Sequence, residues 1–169
     1  PNIITVAWAG TICSDPAMVS ISIRKERFSH SIIRDTGEFV INLVNKRLVR
    51  ATDYCGVKSG RDVDKFKETR LTPQASRYVK APGVEESPVN IECKVVEVKE
   101  LGSHDMFMAK VTAVYVDETY MDGKGTFHLE KAEPLVYSHG QYYGIGKHIG
   151  GFGYAVRKKT VKKKPGKKK

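Results

Sequence analysis

The sequence predicts a mainly β fold, a β-barrel or sandwich with peripheral short helices. Three observations predict it. Apolar and polar residues alternate strictly over Val19–Arg24, the period-two signature of a half-buried strand. Two long β-branched patterns, Val89–Leu101 and Met106–Val116, flank a short polar stretch. No strand, Gly-rich turn and helix follow one another in rhythm, which disfavours a doubly wound sheet.

In chain order, Ile3–Trp8 is β-branched and aromatic and reads as a strand, broken at Ala9-Gly10-Thr11 and Ser14-Asp15-Pro16. In the next strand Val19, Ile21 and Ile23 face the core, and Ser20, Ser22 and Arg24 face outward. A short helix is expected over Ser29–Asp35, stopped near Gly37. Phe39–Val44 is strand-like, and a helix near Lys46–Tyr54 ends at Gly56. Arg61–Phe66 reads as one helical turn on a loop, and Pro73–Pro88, with three prolines, as an extended connection. Gly102-Ser103-His104-Asp105 makes a four-residue hairpin loop between the two long strands. A further turn falls on Asp122-Gly123-Lys124-Gly125, while residues 134–153 carry Gly and Tyr without a clear period.

At 169 residues and 18.9 kDa the chain makes about one domain. We divide it into a folded unit over 1–156 and a Lys-rich disordered tail over 157–169. The formal charge is +10, but the tail holds nine Lys or Arg and no acid, leaving 20 basic against 19 acidic residues elsewhere. The body is nearly neutral, so a nucleic-acid partner is disfavoured; a tail that met phosphates would do so without sequence preference and with strong salt dependence. No apolar run approaches 18 residues, which excludes a membrane-spanning helix, and no signal-peptide pattern opens the sequence. Because it starts at Pro1, the chain is expected to be processed or a fragment. Cys13, Cys55 and Cys93 are odd in number and unpaired by motif, which points to free thiols and a cytoplasmic setting.

Few residues carry a chemical motif. Gly144-Ile145-Gly146-Lys147-His148-Ile149 lacks the third glycine and the leading strand of a dinucleotide fingerprint. The five histidines form no metal-binding spacing, and no GxSxG elbow marks a nucleophile. His104 stands out because a tight loop displays a side chain, although a lone loop histidine is usually surface. Two clusters suit an anion or, equally, a solvated charged loop. Arg24-Lys25-Glu26-Arg27-Phe28-Ser29 leads from a strand into a helix start. Cys55–Phe66 combines Gly56, Ser59 and Gly60 with Lys58, Arg61 and Lys65. Trp8 has small neighbours that leave room for a flat ligand, against the default of a core tryptophan.

Four separated segments carry a resemblance: Asn2–Arg24, Asp53–Phe66, Ser87–Cys93 and Leu101–Asp105. Together they resemble the flavin reductase-like family with an FMN-binding split barrel, and more narrowly its flavoredoxin branch. The resemblance implies a Greek-key split barrel, a homodimer, and FMN near the subunit interface. It implies flavin contacts from Asn2 and from Thr5, Val6, Ala7 and Trp8, with Trp8 near the ring system. Ser22, Ile23, Arg24 and Ser29 would lie along the ribityl and phosphate, with Gly60 in the same ligand-wrapping loop. Lys65 would neutralise the phosphate or the ring edge, and His104, the one catalytic candidate, would approach the isoalloxazine. Tyr137 and Tyr142–Gly146 would close the site. The function implied is an FMN oxidoreductase that takes electrons from NAD(P)H or a reduced redox protein and passes them to an acceptor. An FMN electron carrier without NAD(P)H activity and a non-redox polyanion-binding barrel are the alternatives. Family members usually carry a strand and turn ahead of the position of Pro1, and the family does not explain the Lys-rich tail.

Overall fold

A computed structural model describes residues 1–157; the Lys-rich stretch from 158 onward lies outside the described residues. The alternating segment forms β2 (Ala17–Arg24), with Val19, Ile21 and Ile23 buried as the pattern requires. It pairs on one side with β1 (Ala9–Ser14) and on the other with β7 (His104–Val116). Next to β7 runs β6 (Val89–Leu101), followed by β3 (Glu38–Leu43). The resulting antiparallel sheet has the order β1-β2-β7-β6-β3. Strands β3, β6 and β7 lie side by side antiparallel, β3 reaching β6 through a long helical connection, and β2 lies beside β7, a Greek-key order of neighbours.

Among the described residues, three α-helices decorate this sheet. Helix α1 (Phe28–Thr36) buries Ile33 and stops at Gly37, whose φ of +68° lets its N–H reach Ile33 O. Helix α2 (Val49–Val57) follows a 3-10 turn capped by Asn45, which accepts from the N–H groups of Arg47 and Leu48. Helix α3 (Lys65–Thr69) is capped by Asp64 accepting from Lys67 N. The core joins Val19, Ile21, Ile23, Ile33, Phe39, Cys93, Phe107 and Ala109, with Ile4 and Val6 packed against it. Glu92, 1% exposed, is satisfied by accepting from Arg77 N and Tyr78 N and so pins the connection above β6.

Three expectations need correction, and one unassigned stretch takes a definite form. Residues 3–8 form no strand; the ladder begins at Ala9, where a strand break was expected. The β6–β7 turn is the two-residue Gly102-Ser103, with Gly102 at φ +58°. His104 and Asp105 therefore sit on β7, where His104 pairs with Leu101 and Arg24, and Asp105 with Glu100 and Ile23. Within Pro73–Pro88, Pro73–Gln74 (β4) and Gly83–Val84 (β5) pair as two short strands. Leu135–Ser138 (β8) and Gln141–Gly144 (β9) form a hairpin whose turn residues, His139 and Gly140, both have positive φ. A primed turn of that kind suits the strand twist. The sequence signal was His139-Gly140 between aromatic strands.

Candidate functional site

The irregular segment 2–8 forms one wall of the site, and side chains hold it where a ladder would otherwise do so. Ile4 and Val6 pack on the core. Lys65 Nζ donates to Ile3 O at 2.7 Å, Thr5 Oγ1 donates to Thr52 O, and Ser22 N donates to Trp8 O at 2.9 Å. The strand propensity of Ile3–Trp8 is thus overridden because Ile3 O and Trp8 O find partners on α3 and β2, and the Thr5 hydroxyl finds one on α2.

Opposite this wall lies a cationic cleft of about 190 Å³. Its lining includes Arg27, Ser29, Lys58, Ser59, Gly60, Arg61 and Lys65, against a single acid, Glu26. Cross-links fix its shape. Arg27 donates to Gly56 O at 2.6 Å, and Arg61 donates to Glu26 O at 3.2 Å while its guanidinium lies 5.4 Å over the Phe28 ring. Asn2 Nδ2 donates to Ser29 Oγ at 2.8 Å. Gly60 is required here, since a Cβ would stand 2.2 Å from Asn2 Oδ1 and 2.8 Å from Phe28 Cδ1.

Lys65 is 3% exposed, and its ammonium also donates to Cys55 O at 2.7 Å. Two of its three N–H donors are spent on the wall and on α2, leaving one for the cleft. Burial lowers its pKa, the neighbouring Cys55 opposes that shift, and Arg27 reinforces it.

A second cleft of about 340 Å³ continues from the first, sharing Ile4 and Arg27. Its walls are the Ile4–Trp8 edge and Ser22–Arg24, closed by Gly56 and His104. Trp8 is 62% exposed, so it is not a core residue; its ring stacks on His104 at 4.5 Å and 34°. Ser103 Oγ engages His104 Nδ1 at 2.9 Å, which leaves Nε2 for a bound molecule.

This donor set fits FMN. The cationic cleft offers guanidinium, ammonium and hydroxyl donors to a phosphate. The adjoining cleft offers a backbone edge and two stacked aromatic rings to a flat heterocycle. Of the residues expected at a site, Asn2, Ser29, Gly60 and Lys65 line the first cleft. Thr5, Val6, Ala7, Trp8, Ser22, Ile23, Arg24 and His104 line the second. Tyr137 lines neither; it lies on β8, 5.2 Å from the Tyr142 ring, and Tyr142 OH donates to Asp53 at 3.2 Å. Arg27, Lys58, Ser59 and Arg61 were visible in the sequence only as members of charged clusters. His30 and Asp105, 75 positions apart and hydrogen-bonded at 2.7 Å, left no local signal.

The model of the flavin reductase like domain matches residues 1–146. The chain belongs to this family. It is 35% identical over 124 residues to an uncharacterised protein of Pyrococcus abyssi, covering 73% of this chain and 71% of that protein. The fold superposes on the flavoredoxin of Desulfovibrio vulgaris (Miyazaki F) with a TM-score of 0.86 and 33% identity, over 93% of this chain and 85% of that one. It is also similar to a split barrel domain protein of Shewanella frigidimarina, with a TM-score of 0.80 and 25% identity, over 91% and 79% of the two chains. The family's architecture is thus the split barrel expected from the sequence. No helix among the described residues is long and apolar enough to cross a membrane.

Proposed function

We propose that the chain binds FMN across the two joined clefts and passes electrons through it, from NAD(P)H or a reduced redox protein to an acceptor. The observation that carries this reading is the continuity of a cationic cleft with an aromatic-capped, backbone-edged one through Ile4 and Arg27. When bound, FMN supplies the redox chemistry. Arg27, Ser29, Lys58, Ser59 and Arg61 hold the phosphate, and Ser22–Arg24 run beside the ribityl chain. The Thr5–Ala9 edge and Trp8 orient the ring. His104 Nε2 is placed to donate to, or take a proton from, a ring heteroatom. A donor near the ring's carbonyl edge favours negative charge there, a task for His104, while Lys65 adds its charge to the phosphate cleft.

We also propose a homodimer. Tyr137, Tyr143, Ile149, Phe152, Tyr154 and Val156 are each at least half exposed on the single chain, an apolar surface of the kind that subunit contacts cover. The similarity to a flavoredoxin supports the carrier reading, in which a protein serves as donor.

The test is an absorbance spectrum of protein reconstituted with FMN, then mixed anaerobically with NADH and with NADPH. Rapid bleaching by one nucleotide establishes a reductase and names its donor. A flavin spectrum that persists selects the carrier. Protein that takes up no FMN refutes the site.

A further inference from the structure

Asp105 is fully buried, and one of its carboxylate oxygens, Oδ1, has no hydrogen-bond partner. The other, Oδ2, meets His30 Nε2 at 2.7 Å. His30 is itself 6% exposed, and its ring lies edge-on to Phe107 at 5.4 Å, wedged against the middle of the sheet. A carboxylate in such a place is costly unless cations compensate it. Lys25 at 3.4 Å and Arg34 at 3.8 Å supply positive charge, with exposed Glu100 on the outside of both.

The pair stands at a particular point of the architecture. Asp105 is the β7 neighbour of His104, which caps the ring cleft. His30 follows Ser29, whose side chain lines the phosphate cleft in the first turn of α1. One buried hydrogen bond therefore ties the two ends of the flavin site together. The other cross-links of this turn run elsewhere: Asn2 binds Ser29, Arg27 reaches Gly56 O, and Arg61 reaches Glu26 O. They join α1 to the outer wall; toward the sheet, Ile33 packs in the core and Arg27 N donates to Arg24 O at 3.1 Å, and among the described residues the dyad is the one buried side-chain hydrogen bond from α1 to β7. Arg34–Glu100 does connect α1 to β6, but both partners are more than half exposed, and such pairs constrain little.

We propose that His30 and Asp105 are positioning residues that set the span between the phosphate end and the ring end of the site. The dyad thereby selects flavins that carry a phosphate. The inference rests on the FMN reading above.

The test measures dissociation constants for FMN and for riboflavin by quenching of flavin fluorescence, with the thermal midpoint followed in parallel. The variants are His30→Phe, which keeps the bulk, His30→Gln, which keeps an N–H near the Nε2 position, and Asp105→Asn. In His30→Phe, FMN binding weakens at least tenfold while riboflavin binding changes less than threefold. His30→Gln recovers FMN binding to within threefold of the native value. Should His30→Phe not fold, Asp105→Asn and His30→Gln decide: weaker FMN binding in the first alone supports the dyad. Equal losses for both flavins, or unchanged FMN binding despite a lowered midpoint, overturn the positioning role and leave a packing role only. A native chain that binds neither flavin overturns the flavin reading itself, and this inference with it.

Discussion

At the scale of single residues, the site depends on close contacts whose loss would free a neighbouring side chain. Gly60→Ala would drive a methyl into Asn2 Oδ1 and Phe28, so Asn2 must release Ser29. FMN affinity should fall about tenfold, some 1.4 kcal/mol, by fluorescence titration; unchanged affinity would show that the Asn2–Ser29 contact is dispensable. Trp8→Ala and Lys65→Ala should each weaken FMN binding more than tenfold in the same assay. Lys65→Ala also strips donors from two carbonyls, so it should cost about 1–3 kcal/mol of stability in urea, whereas the exposed Trp8 should cost little. Equal stability losses for the two would contradict this division. The sequence made Trp8, Gly60 and Lys65 visible as candidates, and each lines one of the two clefts. It could not show that Lys65 spends two of its donors inside the protein, because Ile3 and Cys55 reach it only through the fold.

At the scale of elements, legibility followed periodicity. Strand β2 could be read to the face of each residue, since its alternation faces a core on one side only. Segment 3–8 has the same β-branched composition but no partner strand, and composition alone cannot report that. The Gly102-Ser103 turn was overestimated because His104 and Asp105 are polar; both are strand residues with polar work to do, one facing the cleft and one anchoring α1. The turn at 121–128 shows how local chemistry stabilises an exposed element. Asp122 accepts from the N–H groups of Thr126 and Lys124 and meets His128 at 3.1 Å, while His128 also meets Glu130 at 3.0 Å. Backbone donation from Thr126, then His128, brings the Asp122 carboxyl down to about 2. Asp122, then Glu130, raises His128 above its ordinary value of 6.5. The Asp122 contribution is complete above its ordinary 3.8 and is lost as pH falls toward about 2. The His128 contribution is complete below 6.5 and is lost as pH rises through its raised value. The amides of Lys124 and Thr126 should therefore be best protected at mildly acidic pH, measured by hydrogen exchange corrected for the intrinsic rate. Protection that does not vary with pH would mean that the charges are not coupled to the turn.

At the scale of the whole molecule, stability is concentrated in the central strands. Phe107 and Ala109 on β7 and Cys93 on β6 are fully buried, and burial pushes the Cys93 thiol up to about 12, with Glu92 adding to the shift. Phe107→Ala should cost about 3–5 kcal/mol in a denaturant titration; a loss below 1 kcal/mol would place the cooperative core elsewhere. The exposed apolar side chains of residues 137–156 predict an assembly of twice 18.9 kDa by sedimentation equilibrium. Phe152→Asp should shift that assembly toward monomer. No such surface could be anticipated from a Gly- and Tyr-rich stretch without a period, because exposure is a property of the folded chain.

The wall formed by residues 2–8 has a kinetic corollary. It is fastened to the rest of the protein by hydrogen bonds at Asn2, Ile3, Thr5 and Trp8 and by the packing of Ile4 and Val6 on the core, whereas β6 and β7 are thirteen-residue strands paired along their length. A segment fastened at separate points can detach at a fraction of the global unfolding free energy. Amide protons of residues 3–7 should therefore exchange much faster than those of Phe107 and Ala109, with little response to low urea. Flavin dissociation should share their temperature dependence. How long a cofactor stays on the protein would then be set by the fastening of seven residues and would be largely independent of how well the sheet is built.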